Sequence, residues 1–138
     1  MTTDAGSAEE LRLLIQRVAR RIRANRAGDL SDTQLGVLFR LDEADQSPGE
    51  LAAAERVTPP SMNRTLNGLE AAGLVSRHPV DGDARRVRVT LTPTGRDRIR
   101  ATRAARDEWF AHQLSLLSPA ERAALEAVTP ALRRLAGS

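Results

Sequence analysis

Ser47-Pro48-Gly49-Glu50-Leu51-Ala52-Ala53-Ala54-Glu55-Arg56-Val57-Thr58-Pro59-Pro60-Ser61-Met62-Asn63-Arg64 decides the fold, because it carries one helix-start signal twice within a few turns of chain. Ser47 is an N-cap followed by proline at the first helical position, with Glu50 placed to close a capping box; Thr58-Pro59-Pro60-Ser61 repeats the start. The first helix is predicted to run to about Arg56 and the second to Ala72, with Gly73 as its C-terminal cap. Short, well-punctuated helices joined by so brief a turn read as a helix-turn-helix.

Working outward, the period changes after Gly73 from helical to alternating. Leu74 to His78 and Arg86 to Leu91 have strand character, and Val80-Asp81-Gly82-Asp83 supplies turn residues, so a hairpin, or wing, is expected. In its second strand Val87, Val89 and Leu91 share one face and Arg86, Arg88 and Thr90 the other. Upstream, Ser31 and Gln34 form a capping box ahead of Leu35, Leu38 and Phe39, which places a helix through about Glu43. Before that, Leu11, Leu14, Ile15, Val18 and Ile22 fall at helical spacing between Glu9 and Arg26, with Gly28 expected to end the helix. Downstream, Thr92-Pro93 starts a helix with no clear stop before Ser118, roughly 25 residues or ~37 Å long. Ser118-Pro119-Ala120-Glu121 opens a last helix, in which Pro130 is expected to cause a kink or a restart.

Composition narrows the function. The 138 residues are 41% hydrophobic, enough for the core of one domain. There is no cysteine, which excludes disulfides, thiol nucleophiles and thiol redox sensing. His78 and His112 stand apart from any ligand-spaced cluster, so neither a metal nor a cofactor is expected. No apolar run reaches the roughly 18 residues of a membrane span, and Met1 to Ser7 is polar, so a cytoplasmic location is expected. There is no glycine-rich phosphate loop or nucleophile elbow, and Glu108 and His112, one helical turn apart, read as a surface pair, so no enzyme is expected.

Charge supplies the positive clue. The net charge is only +3, yet Arg77 to Arg106 holds nine arginines against Asp81, Asp83 and Asp97, leaving the rest of the chain mildly acidic. Such a basic segment is the footprint of a polyanion partner. Aromatic residues are only 2%, too few for base-stacking platforms, so duplex DNA is the better target. On a helical wheel Met62, Thr65, Leu66 and Leu69 form the inward stripe of the second short helix, while Pro60, Arg64, Asn67 and Ala71 point outward, flanked by Ser61 and Asn63. Arg64 is placed to read guanine and either Asn63 or Asn67 to read adenine. Ser61 and the free amides of the first turn are expected to grip phosphate. In the wing, Arg85 and Arg86 are expected to enter the minor groove, with Asp83 orienting Arg85 and Arg88 adding charge.

These residues resemble the MarR family of winged helix-turn-helix regulators. Pro59 to Arg64 with Leu69-Glu70-Ala71-Ala72-Gly73-Leu74-Val75 is similar to its recognition helix and first wing strand. Asp83-Ala84-Arg85, then Val87, Val89, Leu91-Thr92 and Gly95, is similar to its D-x-R wing signature and the entry to the following helix. The resemblance implies one mainly helical domain over 1–138: a winged DNA-binding lobe at 30–92, with long dimerisation helices at 8–28 and 93–136. It also implies a homodimer on a pseudo-palindromic operator, and a repressor released by a small, often aromatic effector held between the dimerisation helices and the lobe. Trp109 is then either a wall of that cleft or part of the dimer core. The flanking helices also carry more apolar surface than a small winged domain can cover, which independently favours a partner subunit. The competing reading is a winged-helix protein-protein adaptor, which has no use for Arg85, Arg86 and Arg88 beside a polar helix face.

Overall fold

The computed structural model describes residues 5–137, and for Asp83, Ala84 and Arg85 the backbone alone; the polar start Met1 to Asp4 lies outside the described residues. The elements are α1 (Ala5–Ala24), α2 (Asp32–Glu43), α3 (Pro48–Glu55), α4 (Pro59–Ala71), β1 (Val75–Val80), β2 (Asp83–Leu91), α5 (Pro93–Ser115) and α6 (Pro119–Ala136). The expected mainly helical fold with a hairpin wing is what the chain adopts.

The helix starts sit where the caps predict them. Ser31 and Gln34 close a reciprocal capping box on α2, Ser47 caps α3 through Glu50 N, and Ser118 and Glu121 close a second box on α6. The Ser118 amide and hydroxyl hold the Glu121 carboxyl below its ordinary range.

Several bounds differ from expectation. Helix α1 begins at Ala5, four residues ahead of Glu9. It stops at Ala24, where Asn25 Nδ2 donates to Arg21 O at 2.8 Å and closes the last turn. Gly28 therefore lies in the connection, with φ +88, rather than at the helix end. Helix α5 ends at Ser115, because Leu116 and Leu117 bond three residues back and the Ser115 hydroxyl donates to His112 O at 2.6 Å. The restart expected at Pro130 does not occur, and α6 is one continuous helix. The proline has no N–H, so the Glu126 carbonyl lacks its usual helical donor.

The wing is a two-stranded antiparallel sheet in which Val75 faces Leu91 and Arg77 faces Val89. Both strands extend further toward the turn than expected, leaving Asp81 and Gly82 between them, with Gly82 at φ +85. One pairing was not legible in the sequence: Gln46, between α2 and α3, bridges Val89 with amide-to-carbonyl distances of 3.3 and 2.8 Å. The wing base is thus tied to the segment that leads into α3.

The core belongs to the winged lobe. Leu35, Val37, Leu38 and Leu41 of α2, Leu51 and Ala52 of α3, and Met62, Leu66 and Leu69 of α4 pack with Leu74, Val75, Val89, Leu91 and Ile99. Each large side chain so buried contributes about 1.5–3 kcal/mol. Helices α1 and α6 contain no buried residue.

Gly36 shows how α2 and α3 are fastened. Arg40 Nε and Nη2 donate to Glu55 Oε2 at 3.3 and 3.2 Å, and Arg40 Nη2 also reaches Ala54 O at 3.2 Å. The Glu55 carboxylate lies where a side chain on Gly36 would stand. Helix propensity alone favours Gly36→Ala by roughly 0.5–1 kcal/mol. Because the methyl would displace Glu55, Gly36→Ala is expected instead to cost about 1 kcal/mol in denaturant unfolding. In a Glu55→Ala background the same change should become stabilising, and this sign reversal is the check.

Candidate nucleic-acid interface

Helix α4 is anchored by its apolar stripe: Met62, Leu66 and Leu69 are fully buried, and Thr65, half-buried, returns its hydroxyl to Ser61 O at 3.2 Å. The opposite face is open. Pro60, Asn63, Arg64 and Asn67 are exposed and Ser61 is half-buried. Neither the Asn63 nor the Arg64 side chain has a hydrogen bond or ion pair among the described residues, so both are available to a ligand.

The asparagines differ. Asn67 Oδ1 accepts a hydrogen bond from Arg77 Nη2, and Arg77 Nε lies 3.8 Å from Glu70 Oε2. Bidentate recognition of adenine uses both the oxygen and the nitrogen of the amide. Asn67 would have to release Arg77 to do this, whereas Asn63 has nothing to release. Sequence reasoning counted Arg77 only as part of a basic run. Its place beside α4 depends on β1 folding back along that helix, which local pattern does not encode.

The first turn of α4 corrects another expectation. Pro59 and Pro60 carry no N–H, and the Ser61 amide donates to the Thr58 hydroxyl at 3.2 Å. Met62 N continues the helix by bonding Thr58 O at 2.9 Å. The amides expected to grip phosphate are therefore missing or already used, and the Ser61 hydroxyl is the group this residue can offer.

In the wing, Val89 and Leu91 are buried and Val87 is half-buried, as the alternation requires, while Arg86 and Arg88 are exposed without a partner among the described residues. These two arginines flank a cleft of about 520 Å³ whose other wall is Gln46, Ser47 and Glu50. The backbones of Asp83 and Arg85 lie in β2; their side chains, and the expected Asp83–Arg85 pair, lie outside the described residues.

Helix α5 joins this surface to α1. Arg106 Nε donates to Asn25 O at 3.1 Å at the C-terminal end of α1, and burial beside Arg26 and Arg23 pushes its guanidinium below its ordinary pKa. Arg103 bonds Asp42 of α2 at 3.2 Å, and both Arg103 and Arg106 stand about 5 Å over the Phe39 ring. Trp109 is half-buried, with the Arg21 guanidinium 5.0 Å from its ring centroid, so it is engaged with α1 of its own chain. Among the described residues there is no cluster of potential metal ligands, and no helix is long and apolar enough to cross a membrane.

A capped helix with a polar open face, preceded by a short helix and followed by an arginine-bearing hairpin, defines a winged helix-turn-helix of the kind that reads duplex DNA. The model of the MarR family matches residues 28–86. The uncharacterized HTH-type transcriptional regulator Mb0904 of Mycobacterium bovis is 40% identical over 126 residues, spanning 88% of this chain and 87% of the relative. A solved Pseudomonas aeruginosa PA01 structure, described as a candidate transcriptional regulator, superposes with a TM-score of 0.81 at 37% identity, covering 100% of this chain and 99% of that one. A Staphylococcus aureus MepR variant bound to an oligodeoxyribonucleotide shares the fold, with a TM-score of 0.66 at 23% identity over 93% of this chain and 96% of that one. The chain belongs to the MarR family of DNA-binding transcriptional regulators.

Proposed function

We propose that the protein is a cytoplasmic repressor that binds a pseudo-palindromic operator as a homodimer and is released by a small aromatic effector. The observation that carries the operator reading is the unpaired Asn63 and Arg64 on the open face of α4, whose other face is locked into the core. Arg64 reads guanine, Asn63 adenine, and the Ser61 hydroxyl a phosphate; Pro60 packs at the groove edge and Asn67 contributes once Arg77 lets it go. Arg85 and Arg86 occupy the minor groove and Arg88 the adjoining backbone. That a MepR variant of the same fold is bound to an oligodeoxyribonucleotide supports DNA as the partner.

The winged lobe is assigned to residues 30–92, with 8–28 and 93–136 as dimerisation helices. Exposed apolar residues support this division: Leu11, Leu14, Ile15 and Val18 on α1 and Leu125, Val128, Leu132 and Leu135 on α6 find no cover within one chain. A second copy is the natural cover. Changing Leu14 and Leu132 together to aspartate is expected to weaken the dimer at least a hundredfold, since each lost burial costs about 1.5–3 kcal/mol and occurs in both copies. Sedimentation would show this as a monomer, with operator binding lost alongside. A variant that stays dimeric would relocate the interface.

Release by an effector is assigned to the region where α1, α2 and α5 meet, with Trp109 beside it as both contact and reporter. The deciding experiment is selection of bound fragments from a random duplex library, followed by salt titration of the best site. An enriched pseudo-palindrome bound by two subunits with a steep salt slope is the expected outcome. No enrichment and no salt-sensitive binding would leave the adaptor reading standing.

A further inference from the structure

Arg56 is the one non-glycine residue with positive φ among the described residues, at φ 55 and ψ 44. This left-handed conformation crowds the β-carbon of any L-residue other than glycine, with asparagine and aspartate the usual exceptions. Arg56 is the C-cap of α3, and the job its backbone does there, donating its N–H to Ala52 O and Ala53 O, is one glycine performs without strain. The side chain must supply another reason for arginine at this point. It is not a packing reason: Val57, the next residue, turns inward against the core, while Arg56 is exposed and its guanidinium has no partner among the described residues.

The position supplies the reason. Thr58, two residues on, is the N-cap of α4. The N-terminal end of a recognition helix is the end that meets the groove and its flanking phosphates. Free amides ordinarily hold phosphate there, but Pro59, Pro60 and the capped Ser61 amide leave that first turn without them. A strained, exposed cation therefore stands next to a helix end whose first-turn amides are missing or used, with only the Thr58 N–H left.

We propose that Arg56 is a DNA-backbone contact that holds the entering end of α4 against a phosphate, in place of the missing amides. The proposal rests on the operator reading above and adds a positioning residue to it, one that grips without reading sequence.

The test compares wild-type protein with Arg56→Gly, Arg56→Asn and Arg56→Lys. Glycine and asparagine tolerate the left-handed turn, so both variants should melt no lower than wild type. Both should nevertheless bind the selected operator and random duplex more weakly by similar factors, on the order of tenfold, with the log-log salt slope smaller by about 1.8 per dimer, one phosphate being lost per subunit. Arg56→Lys should keep the slope. Wild-type affinity and slope in Arg56→Gly and Arg56→Asn would overturn the proposal and leave the operator reading intact, as would a loss in Arg56→Lys equal to theirs. Failure of the wild-type protein to bind any duplex would instead remove the operator reading, and this proposal with it.

Discussion

Gly95→Ala is expected to destabilise the protein by about 3 kcal/mol, near the upper end for overpacking a core position, and to lower the melting temperature by roughly 10 °C. Gly95 is buried in the first turn of α5, where its N–H bonds the Thr92 hydroxyl at 3.0 Å. A β-carbon would meet the Leu74 carbonyl oxygen in hard contact and Leu91 Cδ1 at 2.6 Å. Neither neighbour can withdraw. Leu74 O already accepts from Thr92 N at 3.1 Å, and Leu91 is held in the core beside it. The Thr92 hydroxyl also donates to Gly73 O at 2.6 Å, so α5, the end of α4 and the wing base meet at this point. A thermal melt checks the prediction; an unchanged melting temperature would mean that α5 can lift away from Leu74 at no cost.

Arg64→Ala is expected to flatten base preference at one position of each half-site, at a cost of about 1–3 kcal/mol per subunit on the selected operator and much less on random duplex. Since a dimer loses the contact twice, operator affinity should fall on the order of a hundredfold or more. The side chain is exposed and unpaired, so the loss would not come from folding. Arg85→Ala, in the wing, should weaken binding with less effect on major-groove preference. Repeating the library selection with each variant separates the two. Equal loss on operator and random DNA for Arg64→Ala would remove its reading role.

Much of the architecture was legible because it is written locally. Capping residues at Ser31, Ser47, Thr58 and Ser118 mark helix starts whatever the chain does elsewhere, and the period of Met62, Leu66 and Leu69 states which face of α4 is inside. What escaped the sequence is set by distant residues. The Gln46–Val89 bridge and the Arg77–Asn67 bond exist only after the lobe has closed. Pro130 differs in another sense: a local rule predicts a kink or a restart, and the helix runs on without a restart. In the first turn of α4 the information is local too: Pro59 and Pro60 both start the helix and remove two of its donors.

The Gln46–Val89 bridge bears on how the protein meets DNA. An isolated two-stranded hairpin is marginal in water and samples many tilts. Here the ribbon is sewn to the lead-in of α3, while Val75 and Leu91 at its base share a core with α4. The spacing between α4 and the base of the ribbon is therefore set by folding. In the proposed complex that base has little freedom to surrender on the duplex, so less entropy is lost on association and more of the contact energy goes into residence time.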